Sequence, residues 1–199
     1  VYEVMVWVML LPKTLFRSMF RPRWAIQYVD EELSKPPEDR FDEFLSPVLL
    51  WLIAAVLPLT ISTLLKDGSI QTIPELINAL RDGLLSQALY ATLIPFTYIV
   101  WMAWMSTQPV KRSSLRVSFY KHCYALAPAQ FFYGLFAILS LWSNLFLLLL
   151  PFSTVLLVIY ESFVFQAEMK TSYGKAFLYA CAPQLVLGAL LYWMITITM

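Results

Sequence analysis

Five stretches of about twenty apolar residues, separated by short connections of which all but one are charged, limit what this chain can become. A helix needs about 20 mainly apolar residues to cross the hydrocarbon of a bilayer. Five windows meet that length: 46–65, 83–105, 124–141, 145–165 and 177–197. With 60% hydrophobic and 14% charged residues, the chain departs from the roughly 45–50% apolar and 25% charged composition of soluble domains. The pattern predicts an all-α, polytopic transmembrane bundle of five spans (46–199) behind a cytoplasmic segment (1–45). A four-span chain, with the third and fourth windows as a re-entrant pair or one broken helix, is the alternative. The uncharged turn at 142–144 favours two helices, because Ser143 and Asn144 suit a tight reversal and Trp142 suits a membrane interface.

The basic residues orient the bundle. Lys13, Arg17, Arg21, Arg23, Lys35 and Arg40 precede the first window; Lys111, Arg112, Arg116 and Lys121 lie between the second and third, and Lys170 and Lys175 between the fourth and fifth. Threaded through five spans, all of these share one side, and only Lys66 and Arg81 fall on the other. Cytoplasmic loops carry the excess of Lys and Arg, so the N-terminus is expected in the cytoplasm and the C-terminus across the membrane. A net charge of +1 gives no case for nucleic acid as a partner, which calls for a clustered basic surface.

The first forty-five residues differ in kind. The run from Val4 to Leu11 is too short to span, Pro12 is expected to interrupt it, and Lys13, Arg17, Arg21 and Arg23 then alternate with Leu15, Phe16, Met19, Phe20 and Trp24. That is the pattern of an amphipathic helix lying in the interface of a lipid bilayer. A cleaved signal peptide fits poorly, since the basic residues follow the apolar run; the opening on Val1 leaves room for residues upstream. Asp30, Glu31, Glu32, Glu38, Asp39, Asp42 and Glu43 around Pro36-Pro37 read as a solvated acidic linker, or as a docking surface for a basic partner. Arg17, Arg21, Arg23, Asp30, Glu31 and Glu32 are therefore the candidate interface residues. Ser46-Pro47 starts the first window as cap and first helical position.

Each window holds one interior proline: Pro58, Pro95, Pro128, Pro151 and Pro183. Each should kink its helix and free a carbonyl that a neighbour must satisfy. The third and fifth windows also match, Tyr124 to Pro128 against Tyr179 to Pro183, with a lysine before each (Lys121, Lys175), Gln130 and Gly134 against Gln184 and Gly188. Parallel repeats and chance similarity both account for this. Between Lys66 and Arg81, the spacing of Ile70, Ile73, Leu76, Ile77 and Leu80 predicts a short amphipathic helix on the outer interface.

A basic aromatic segment with Arg21-Pro22-Arg23, an acidic linker, a first span opening with Phe44-Leu45-Ser46-Pro47, and four further spans with almost no tail resemble the Yip family. That resemblance implies a five-span protein with a cytoplasmic N-terminus, in the bacterial inner membrane or a eukaryotic endomembrane.

Reactive groups are sparse. His122, the one histidine, reads as interfacial beside Lys121 and Cys123, away from carboxylates. No His, Cys, Asp or Glu spacing supplies the three or four ligands of a metal site, and no cofactor motif appears. Cys123 and Cys181 on a cytoplasmic face are expected to stay reduced. No nucleophile motif is present, so an enzyme is not expected. The one acid inside a window is Glu161, roughly 24 Å along the fourth at ~1.5 Å per residue. It is expected to snorkel, to pair with Lys121, Lys170 or Lys175, or to join Gln130, Gln166 and Gln184 in a polar cluster that glues helices or couples proton or cation movement. Three classes follow: a scaffold or membrane subunit with a protein partner or a homo-oligomer; an oligomeric channel or transporter built on Glu161 and the prolines; and, least supported, a lipid-modifying enzyme.

Overall fold

The computed structural model describes residues 2–67, 91–106 and 111–198. Seven α-helices follow in order among them: α1 (Tyr2–Phe20), α2 (Pro22–Ser34), α3 (Pro47–Asp67), α4 (Ala91–Met105), α5 (Arg112–Leu139), α6 (Leu150–Met169) and α7 (Tyr173–Thr198). No strand occurs among the described residues. The expected outer helix, with its apolar spacing from Ile70 to Leu80, lies outside them, as does the first part of the second window, 83–90.

Local chemistry sets the helix ends. Pro22 and Pro47 open α2 and α3, where a missing N–H costs nothing. The Leu50 N–H already bonds the Ser46 carbonyl. At the start of α5 the Ser114 hydroxyl receives the Lys111 N–H and donates to the Lys111 carbonyl. Helix α6 ends on Lys170 in the left-handed region, φ 48°, the geometry of a helix stop that usually falls to glycine.

Helix α5 is the axis of the bundle. Ser118 and every residue from Lys121 to Gln130 are buried, with α3 and α6 packed along its flanks, α7 along α6, and α1 and α2 across its first turns. Small residues allow that crowding: Ala125, Ala127 and Ala129 are all buried. Gly134 lies so close to Pro58 of α3 that an added Cβ would overlap the proline ring. Gly188, its counterpart in the matching segment, has nothing within 4 Å of that position, so the two segments are not packed alike.

Among the described residues, two helical units are by length and composition long and apolar enough to cross a membrane, Arg112–Leu139 and Asn144–Met169; Pro47–Ser62 and Ala91–Met105 are shorter apolar helices. The third window of the sequence reading starts twelve residues inside α5, because polar first turns are as helical as the apolar remainder. The fourth begins with a tight turn, Asn144–Leu149, before α6 proper.

The prolines divide. Pro58, Pro128 and Pro183 are interior to their helices, but Pro151 is the second residue of α6, a start rather than a kink. Pro95 removes the N–H that would bond the Ala91 carbonyl, and the Trp51 indole N–H of α3 supplies the missing donor at 2.9 Å. Pro12 does not interrupt α1, which runs through it. Both Pro12 and Val8, whose carbonyl it frees, are exposed.

The N-terminal segment is folded onto the bundle. Trp24 stacks on Tyr28 at 5.0 Å and meets Phe44 at 4.9 Å, and Tyr28 and Trp24 both reach Tyr124 of α5. Tyr124 donates to the Leu45 carbonyl, the Leu45 N–H bonds the Thr14 hydroxyl at 3.1 Å, and Tyr160 of α6 donates to the Met19 carbonyl at 2.9 Å.

Candidate functional site: a histidine and a glutamate sealed between two helices

His122 faces α6 and Glu161 faces α5, and both side chains are wholly buried. Nδ1 of His122 lies 2.6 Å from Oε2 of Glu161, a distance proper to a charge-assisted bond. Tyr98 of α4 lies nearly parallel to the imidazole with centroids 5.8 Å apart, and Phe165 of α6 presents its edge at 6.1 Å. The Tyr98 hydroxyl receives a bond from Gln184 of α7 at 2.9 Å and points to the Ala180 carbonyl at 3.4 Å. Four helices thus converge on one polar layer. Nε2 of His122 and Oε1 of Glu161, both buried, have no hydrogen-bond partner among the described residues.

This arrangement corrects the reading of His122 as an interfacial residue away from carboxylates. The helix begins at Arg112, which puts His122 about 15 Å into it. A sequence signal for that exists: Ser118, His122, Leu126 and Ala129 recur at three- and four-residue steps, a single face of the helix. Glu161 does not snorkel and does not pair with lysine. Lys121 instead bridges Asp30 at 2.7 Å and Glu168 at 2.5 Å, while Lys170 and Lys175 are exposed. Of the glutamines, Gln184 joins the layer through Tyr98. Gln130 is buried eight residues beyond His122, about 12 Å along α5, and Gln166 lies five residues past Glu161, about 7.5 Å along α6; neither is bonded to Glu161. The expected four-residue cluster is therefore a Glu161–His122 pair with a Tyr98–Gln184 neighbour.

The candidate interface residues fall into two groups. Arg17, Arg21, Arg23, Asp30 and Glu31 are exposed. Arg17 lies over the rings of Trp24 and Phe44 at 4.5 and 5.1 Å, and Arg23 over Phe163 at 5.8 Å. Glu32 is buried to 2% exposure, which overturns its place in a solvated linker. One oxygen takes the Phe41 N–H at 2.6 Å and the other the Lys35 ammonium at 2.6 Å. Burial pushes the Glu32 carboxyl up, but the bonds from Lys35 and Phe41 outweigh it and hold it below the usual range. Burial and the Glu32 charge push the neighbouring Tyr28 phenol up.

A cavity of about 400 Å³ lies elsewhere, between α4 and α7, lined by Phe96, Thr97, Val100, Trp101, Trp104, Pro183 and Val186. Neither His122 nor Glu161 is among its lining residues. Breaking such a buried pair by removing one partner costs about 3–5 kcal/mol, which makes it a structural tie between α5 and α6 whatever else it does. No protein-family model, curated protein or solved structure matches the chain.

Proposed function

We propose that the chain is a five-span integral membrane protein with a cytoplasmic N-terminus, serving as a Yip-like scaffold or membrane subunit of a larger complex. The membrane reading is supported by the outward faces of the helices. Leu57, Ile61 and Leu65 of α3, Leu93, Phe96 and Val100 of α4, Phe152 and Val155 of α6, and Leu178, Leu185 and Val186 of α7 are all exposed. A surface apolar on every flank is suited to lipid, since soluble monomers rarely expose apolar patches beyond a few hundred Å².

The observation that carries the scaffold reading is the acidic rim of the N-terminal platform. Glu31, Glu38, Asp39, Asp42 and Glu43 are exposed on backbone held in one shape by Glu32 beneath, by the Lys13 ammonium on the Glu43 carbonyl at 3.1 Å, and by Lys121 on Asp30. A fixed array of like charges on a rigid base can recognise a basic surface without ordering cost at binding. The exposed Met5, Val8, Met9, Phe16 and Phe20 fall on one side of α1, beside Lys13 and Arg17, and suit contact with the headgroup region.

The test is a full-length protein with Glu38, Asp39, Asp42 and Glu43 changed to lysine, purified from its host membrane in nanodiscs beside the unchanged protein. A stoichiometric protein retained by the unchanged chain and lost by the variant, at equal helicity, is the expected result. Equal retention by both, or no stoichiometric partner on the unchanged chain, refutes the scaffold reading; release of the chain from membranes by alkaline carbonate refutes the integral one.

A further inference from the structure

The scaffold reading leaves the best-buried chemistry of the molecule unused. His122 and Glu161 are both at 0% exposure, joined through Nδ1 and Oε2, and each keeps one buried polar atom unpaired, Nε2 and Oε1. With Nδ1 directed at the Glu161 carboxylate, the lone pair of Nε2 is the basic atom of the ring that no described residue engages. Two ligating side chains do not make a metal site, and among the described residues no three His, Cys, Asp or Glu side chains gather to hold one. The packing leaves the imidazole between Tyr98 and Phe165. The ligand that fits there is a proton.

We propose that His122 and Glu161 form a proton-binding site in the core of the bundle. The lone pair of Nε2 takes a proton from hydronium, an O–H bond breaks as the N–H bond forms, and water leaves. Imidazole becomes imidazolium, with its charge balanced by the Glu161 carboxylate at 2.6 Å.

The groups around the site support that balance. From α4 comes the Tyr98 phenol, bonded to Gln184. From α5 come Cys123, a buried free thiol, and Lys121, which is turned toward Asp30 and Glu168. From α6 comes Ser162, whose hydroxyl is spent on the Val158 and Ile159 carbonyls. From α7 come Gln184 and Cys181, the latter close to Tyr98. None of these gives Glu161 a second cation. A loaded site is neutral as a pair and ties α5 to α6; an emptied site leaves a lone carboxylate in a dry core, which is costly. Occupancy of the site is thus coupled to the contact between these two helices. The inference goes beyond the scaffold reading and needs only the bundle, in whatever orientation it sits in a membrane.

His122 is the sole histidine of the chain, so nitrogen-15 labelling of histidine gives one ring to observe by NMR, in the full chain held in nanodiscs at pH 7. The expected result is a ring with both nitrogens protonated in the unchanged protein. In Glu161→Gln the doubly protonated fraction falls about tenfold or more, the scale of losing an adjacent opposite charge, and in Glu161→Asp it returns. A ring with one bare nitrogen in the unchanged protein, or equal protonation with and without the Glu161 charge, overturns the proposal. Should Glu161→Gln fail to assemble, the unchanged protein decides alone on the first of those outcomes.

Discussion

Replacing Glu32 with alanine should open the acidic platform while leaving the bundle intact. Two costs follow from its surroundings. The Phe41 N–H loses a charged acceptor at 2.6 Å, and hydrogen bonds to charged groups contribute about 1.5–3 kcal/mol. The Lys35 pair is also lost, but Lys35 is 43% exposed, and solvent screens such a pair so that it adds little. Phe41 itself sits at φ 61°, a conformation disfavoured for a residue with a Cβ, so nothing in its own backbone replaces the lost tether. Taking about 2 kcal/mol for the whole, local opening at Phe41 becomes roughly 30-fold more frequent. Amide hydrogen exchange reads this directly, because the exchanging proton is the one Glu32 holds. The Phe41 amide should lose about 30-fold of its protection, with amides of α5 unchanged.

The same assay carries a pH dependence with a definite sign. The carboxyl is held below its ordinary value in the folded protein, so its contribution is complete above the unfolded value of roughly 4.3. It declines as pH falls through the lower folded value, where the native acceptor finally protonates. Corrected for intrinsic exchange, Phe41 protection should be flat at neutral and mildly acid pH and fall only once the pH drops below the ordinary carboxylate range. Unchanged protection in Glu32→Ala, or loss of protection on raising rather than lowering pH, would refute the reasoning.

Other substitutions probe the bundle. Trp51→Phe strands the Ala91 carbonyl and should cost about 1–3 kcal/mol; in a Pro95→Ala background the restored N–H can take that carbonyl, so the cost should shrink by at least about 1 kcal/mol in a double-mutant cycle of detergent unfolding. Equal costs in both backgrounds would disprove the link between the indole and the proline. Gly134→Ala drives a methyl group into Pro58 and should destabilise by about 1–3 kcal/mol, while Gly188→Ala, with open space and a better helix former, should be neutral or gain up to about 1 kcal/mol. Thermal unfolding of the two variants in one detergent separates them, and the reverse order would mean that α3 and α5 do not meet there. Lys170→Gly relieves a left-handed side chain at the end of α6, a penalty of about 1–2 kcal/mol, against a glycine entropy cost of about 0.5–1 kcal/mol, so a modest net stabilisation is expected, seen as a raised midpoint.

Helix content and the order of apolar segments were legible in the chain because both depend on neighbours in sequence. Windows of length near twenty, Pro47 behind Ser46, and the turn residues Ser143 and Asn144 all act locally, and the chain is helical in α3, α6 and α7 in that order. Pro151 misled because a proline at a helix start and one in its interior look alike without the turn before it. Glu32 misled for a related reason: an acid among acids reads as solvated until Phe41, nine residues on, turns its N–H back onto it.

The meeting of His122 with Glu161 was decided only by tertiary structure. The two are thirty-nine residues apart, on helices whose facing sides depend on where α5 begins and on how closely α3 and α6 pack against its small residues. By itself the sequence determined that apolar helices must form and assemble, since burial of apolar area is indifferent to partner. Which polar side chains end up sealed together depends on helix rotation of a few tens of degrees, set by contacts such as Gly134 on Pro58 that no local pattern encodes.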